Sequence, residues 1–432
     1  MTKRLILFMA ALAVLIVSTY ASGTDPQVGI ERLSARVAAD SQSIDARMDL
    51  AKAYLSLFDL SGDLDHVVLA ESAAYHALKI DVRHVPGLTL MARALTFEGR
   101  FDDVLFVENW SITVDIENAE SWGLLGSAFM ELGKYRNVDS CYNQMVQLDE
   151  GFHSQVRLAA QSFVIGDIDS AAEWLSRSIA MMERDKVAAS DPESDPVREI
   201  SDRDMAGAYE LLARMRLERG DWKAALDAAD ASLRVLPGFV DALVVKAKAL
   251  RISREFGAAR AFLYSSLGRS PGNSFDAGAE ISSNLKLKAE LARVYRDSRW
   301  RHRSRPLVKE LSDDYERLYA RHPDAIRRDY ALFLLEWNID PGKALALASE
   351  ESRRRTDVHT YNCLARAYHR NGRPDLAWST VSFALRKGTN QPEILYNAAV
   401  IAGALGKIDK QRSFAERVKK LNPNFERMYG PL

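Results

Sequence analysis

From Asp45 onward, apolar and small residues recur at steps of three and four, the spacing that gathers side chains on one face of a helix. The same series of positions then returns along the chain. Trp122, Leu125, Gly126, Phe129, Gly133, Tyr135, Val138 and Tyr142 make one copy. Tyr209, Leu212, Ala213, Arg216, Gly220, Trp222, Ala225, Ala229, Ser232 and Pro237 make a second. Tyr361, Leu364, Ala365, Tyr368, Gly372, Pro374, Ala377, Val381 and Ala384 make a third. A large residue opens each copy, an apolar residue follows three on, and a small one comes directly after. The first half of the series predicts one helix and the second half another. The small residues let the two approach closely, and the glycine permits the positive φ that ends the first. One such pair cannot bury its apolar face alone, so successive pairs stack. No run of alternating β-branched residues occurs, and no sheet is expected.

These offsets and their 34-residue period resemble the tetratricopeptide repeat, over about 380 residues of the chain. The resemblance implies an all-α, right-handed superhelical solenoid of about ten helix-turn-helix repeats. Ten copies fall near 44–84, 85–118, 119–151, 152–185, 206–239, 240–273, 278–323, 325–356, 358–391 and 392–425. Insertions are expected in the turn of the first copy, Leu57 to Asp65, and in the seventh, between Tyr295 and Pro306. Val28 to Ala39 reads as one more helix packed on the N-terminal end, and Phe425 to Leu432 as a cap or frayed end. The chain divides into acidic repeats over 24–185, an acidic, proline-containing loop over 186–205 with Pro192 and Pro196, and basic repeats over 206–432.

Residues 1–23 carry a different pattern. Lys3 and Arg4 precede an apolar run from Leu5 to Val17, and Ala21, Ser22 and Gly23 follow it. A spanning helix needs about 20 apolar residues. The short run and the small residues after it predict a cleaved secretory signal. The alternative is an uncleaved anchor over residues 5–21, the one case in which a membrane partner is expected. The expected location is therefore exported, periplasmic or envelope-associated.

Charge changes the picture only when it is divided. The whole chain has a net charge of −1. Thr24 to Val240 carries 37 acidic and 21 basic residues, whereas Asp241 to Leu432 carries 22 acidic and 35 basic. If sequence position maps onto position along a solenoid, the object is bipolar, and head-to-tail self-association weakened by salt is one consequence. Arg296, Arg299, Arg301, Arg303 and Arg305 concentrate around Trp300. They are either solvated faces or a docking surface for an anion, such as an acidic protein or an anionic polysaccharide. The export signal argues against nucleic acid as that anion.

Candidate chemistry is sparse. None of the eight histidines forms a metalloprotease pattern, and no phosphate-cradling or nucleophile-elbow motif occurs. No catalytic residue, metal or cofactor is expected. Cys141 and Cys363 lie six repeats apart, and distant repeats of a solenoid are not expected to touch, so two buried thiols are expected rather than a disulfide. Trp122, Trp222, Tyr209, Tyr361 and Trp378 occupy repeat positions and read as core. Proteins with this repeat generally bind other proteins in a concave groove lined by first helices. That implies exposed first-helix residues two or five into each copy as contacts, such as Asn362 and Arg366. Exported members are often envelope scaffolds, so the resemblance implies an adaptor for protein partners in envelope assembly or export. An anionic-polysaccharide-binding module using the basic half is the alternative.

Overall fold

The structure, a computed structural model, describes residues 26–188, 200–268 and 285–431. The segment read as a signal lies outside these residues. The described residues form 22 α-helices and one short 3-10 helix, with no strand. A lone helix, α1 (Pro26–Ala39), comes first. Ten hairpins follow: α2/α3 (Ile44–Ser61, Leu64–Leu78), α4/α5 (Val85–Phe97, Phe101–Val114), α6/α7 (Ala119–Glu131, Tyr135–Leu148), α8/α9 (Phe152–Ile165, Ile168–Ala188) and α10/α11 (Asp202–Glu218, Trp222–Val235). The second five are α12/α13 (Val240–Ile252, Phe256–Ser266), α14/α15 (Leu285–Asp297, Ser304–Arg321), α16/α17 (Pro323–Trp337, Pro341–Arg354), α18/α19 (Val358–Arg370, Pro374–Arg386) and α20/α21 (Pro392–Ala404, Ile408–Leu421). A short helix, α22 (Phe425–Tyr429), ends the array. This is the expected all-α solenoid.

Local chemistry sets the element boundaries. Asp357 begins α18 by accepting the backbone N–H groups of His359 at 2.9 Å and Thr360 at 3.1 Å. Ser201 begins α10 in the same way, accepting from Asp204 at 3.1 Å. That hairpin therefore starts before residue 206, and α9 carries the preceding repeat to Ala188, past the expected start of the loop. Residues 189–199 of that loop lie outside the described residues. No insertion opens in the first turn. The extra residues lengthen α2 to Ser61, because Leu57, Phe58 and Leu60 continue a helical face, and only Gly62 and Asp63 separate the two helices. In the seventh copy the insertion is real and contains the 3-10 turn Arg301–Arg303.

Distant repeats do touch, contrary to the expectation for a solenoid. The turn within each of hairpins two to five rests on the linker that follows a hairpin about five repeats later. The Asn390 N–H donates to the Ile165 carbonyl at 2.7 Å, and the Thr356 N–H to the Leu132 carbonyl at 3.2 Å. The Val358 N–H donates to the Tyr135 hydroxyl at 3.1 Å, and Lys387 to the Gly133 carbonyl at 2.8 Å. Two glycines make the approach possible. Gly133 and Gly166 have φ of 74° and 81°, and a Cβ on either would overlap the backbone of Thr356 or Asn390. The physical reason is cumulative rotation. Each hairpin turns relative to the last, so the superhelix completes a turn and the second turn seats on the first.

The largest core cluster spans this seam. It joins Met48, Leu55, Val67 and Leu90 of the first two hairpins to Leu263, Tyr295, Leu311 and Tyr330 of the sixth to eighth. The acidic and basic halves therefore touch along this seam. Asp65 pairs with Arg321 and, at 2.9 Å, with His322; Glu131 pairs with Arg355. Some opposing charges of the two halves therefore meet within one chain. Cys141 and Cys363 are both buried and free.

Candidate functional site

Within the second half, five successive first helices, α12, α14, α16, α18 and α20, turn their charged faces into one concave cavity of about 1000 Å3. Their apolar faces pack against second helices, so the groove receives what remains on the opposite side. Lys248 and Arg251 come from α12, Glu290, Arg293 and Arg296 from α14, and Glu336 from α16. Arg366 and Arg370 come from α18, and Glu393, Tyr396 and Asn397 from α20. Residues three or four apart on a helix share a face, which is why each helix supplies such a group.

A ladder of ion pairs crosses the groove wall. Arg251 contacts Glu290 at 2.5 Å and Asp297 at 2.9 Å. Arg293 reaches Glu290 at 3.0 Å and Glu336 at 2.7 Å, and Arg366 reaches Glu393 at 3.0 Å. Burial opposes ionisation of Glu336, yet Arg293 and Arg296 win and hold its carboxyl down to about 2. Glu290, also resisted by burial, is lowered by Arg251 and Arg293. The Glu290 and Glu336 carboxylates therefore stay charged at neutral pH. Arg254 and Arg370 also line it and make no ion pair among the described residues.

The end of the chain enters this space. The Tyr429 hydroxyl bonds Glu218 of α10, and Asn424 donates to the Gly220 carbonyl at 3.0 Å. The Arg427 guanidinium stands 4.9 Å from the Trp222 ring centroid. Residues 426–430 therefore form one wall of the groove and bridge the two superhelical turns, which is more than the expected cap or frayed end.

The residues singled out from sequence fall into three environments. Arg296 and Arg366 line the groove, Arg296 at 2.9 Å from Glu336 and against the Trp337 ring. Arg299, Arg301, Arg303 and Arg305 are exposed at the turn edge of the seventh hairpin. Trp300 is half-buried against the main core, with the guanidiniums of Arg260 and Arg299 at 4.3 and 5.0 Å from its ring centroid. Asn362 is the correction: it is only 3% exposed and accepts from Asn397 at 2.9 Å, so it ties α18 to α20 and cannot line an open surface. Sequence reasoning missed Arg251, Glu336, Arg370 and Glu393. A column read across copies, five residues after the large residue that opens each, gives Lys248 after Leu243 and Arg366 after Tyr361 but none of these four.

Among the described residues, no group of three His, Cys, Asp or Glu side chains could hold a metal ion, and no helix is long and apolar enough to cross a membrane.

Comparison with known proteins agrees with the repeat. The family model for the tetratricopeptide repeat matches residues 119–152 and 392–425, the third and tenth hairpins. No curated protein matches the chain. Among solved structures, the chain is similar to TTC0263, a thermophilic tetratricopeptide-repeat protein of Thermus thermophilus. Identity is 16% and the TM-score 0.38, over 48% of this chain and 99% of that one. It is also similar to a chain of the APC/C hetero-tetramer Cut9–Hcn1, at 15% identity and TM-score 0.46, over 88% and 61% of the two chains. The tetratricopeptide domain of P58(IPK) matches at 14% identity and TM-score 0.22, over 84% and 98%. Two of the ten hairpins thus match the tetratricopeptide-repeat model by sequence.

Proposed function

We propose that this chain is a non-catalytic, exported scaffold that holds a segment of a protein partner in the groove of its second half, in envelope assembly or export. The observation that carries the reading is the convergence of five first helices on one cavity whose walls present fixed charges of both signs. Such a surface recognises an extended segment by matched charges and backbone hydrogen bonds rather than by apolar area alone. The unpaired Arg254 and Arg370 favour carboxylates on that segment. Export rests on Lys3, Arg4 and the apolar run from Leu5 to Val17.

A second reading is favoured by a separate observation. Arg299, Arg301, Arg303 and Arg305 are exposed together at one edge, where an anionic polysaccharide could run along them. Affinity capture from an envelope extract separates the two. The full chain is compared with Arg366→Glu/Arg370→Glu and with a variant in which the four edge arginines become Glu. A stoichiometric protein lost only with the groove pair supports the scaffold. An acidic glycan lost only with the edge variant supports the alternative. A protein partner retained by the groove pair refutes the proposed site.

A further inference from the structure

The outer face of the last two hairpins carries a cleft that the groove does not explain. It lies between the second helices α19 and α21, has a volume of about 510 Å3, and is floored by Trp378, Leu385 and Phe414. The Trp378 and Phe414 ring centroids are 6.3 Å apart, and both rings are half-buried. Two ammonium groups sit on one indole: Lys407 and Lys410 lie 4.6 and 4.9 Å from the Trp378 centroid. Arg386 and Arg417 stand at the same cleft.

The charge here is organised differently from the groove. There, most arginines are matched by carboxylates of neighbouring helices. Here, Lys407, Lys410 and Arg386 make no ion pair among the described residues, and Asp409, the one acid lining the cleft, neutralises none of them. Gathering two like charges on one ring is unfavourable by itself, and the ring's quadrupole offsets it only in part. An anion completes the arrangement. The apolar floor adds a second requirement, a side chain that packs over the two rings. A furrow between adjacent helices takes the side-chain ridge of a third helix. Both rings are half-buried rather than fully exposed, which suits a docked side chain more than a flat bilayer.

We infer that the cleft between α19 and α21 is a second docking surface, for an acidic amphipathic helix of a protein partner. That helix lays an apolar side chain over the paired Trp378 and Phe414 rings and sets its carboxylates against Lys407, Lys410 and Arg386. This is independent of the groove and lies on the opposite, second-helix side of the hairpins. It gives a scaffold two partners at once.

The test uses the full chain and a short, amidated, fluorescein-labelled peptide with Glu pairs between Leu and Phe at helical spacing, followed by anisotropy. Its counterpart with Lys in place of Glu is the control. The expected result is saturable binding of the acidic peptide alone, weakened by added salt. Lys407→Glu/Lys410→Glu should weaken it about tenfold or more. Ser413→Trp, an exposed position that blocks the mouth and leaves both lysines, should do the same. The groove pair Arg366→Glu/Arg370→Glu should leave it unchanged, and thermal unfolding by circular dichroism checks that each variant is folded. Absence of saturable binding overturns the inference. So does binding that survives both cleft variants, or that falls equally with the groove pair. Phosphatidylglycerol vesicles binding through the same lysines, while the peptide does not bind, would replace the protein partner with a membrane.

Discussion

If the second superhelical turn presses on the first at Gly133, then replacing that glycine should do more than strain a turn. Gly133 and Gly372 occupy the same place in their hairpins, with φ of 74° and 69°. An alanine at either adopts a left-handed conformation, which destabilises by about 1–2 kcal/mol. At Gly372 nothing lies within 4 Å of the new Cβ, so the strain is the whole effect. At Gly133 the Cβ overlaps the Thr356 backbone, which must withdraw. Withdrawal breaks the Thr356 N–H and hydroxyl bonds to the Leu132 carbonyl, at 3.2 and 3.0 Å. Two such bonds contribute roughly 1–3 kcal/mol net. Gly133→Ala should therefore destabilise by about 2 kcal/mol more than Gly372→Ala. Urea unfolding followed by circular dichroism measures the difference, and small-angle scattering should show Gly133→Ala alone to be expanded. Equal destabilisation, with unchanged scattering in both, would refute the reasoning that the turns bear on each other.

Other expectations rest on buried charge. Lys288 is fully buried between Glu310 at 2.7 Å and Asp314 at 2.8 Å, so Lys288→Met should destabilise by about 2–3 kcal/mol by leaving Glu310 without its cation, whereas Asp314 keeps Arg317; a loss of stability under about 1 kcal/mol in urea unfolding would contradict this. Glu108 is wholly buried beside the Ser111–Ser121 hydroxyl pair, and burial pushes its carboxyl up to about 8. A raised carboxyl favours the folded state most below its unfolded value of 4.5, and that contribution is lost as pH rises to about 8. Glu108→Gln should consequently flatten the decline in stability between about pH 5 and 8 and raise the melting temperature at pH 8, whereas an unaltered pH profile would show that Glu108 does not titrate in that window.

Much of the candidate site was present in the sequence as single residues but not as an arrangement. Arg296 and Arg366 stand out as exposed cations in a helical pattern, and both line the groove. Asn362 has the same pattern signature yet is buried, because a polar residue facing the next repeat and one facing solvent look alike along the chain. Its partner, Asn397, is 35 positions away. The arginine cluster around Trp300 reads as one patch in sequence. In space it divides, with Arg296 turned inward to Glu336 and the other arginines left at the edge.

The chain by itself determined the hairpins, because every contact that makes one lies within about 34 residues and leaves its period in the pattern: Ala365 packed with Ala377 and Val381, or Gly126 receiving Tyr142. It also determined that first and second helices would alternate and that no sheet would form. Only the tertiary structure decided how far the superhelix closes. That depends on small rotations accumulated over five hairpins, and no local pattern records their sum. Closure is what set Gly133 against Thr356, paired Glu131 with Arg355 across the two charged halves, and brought Tyr429 to Glu218.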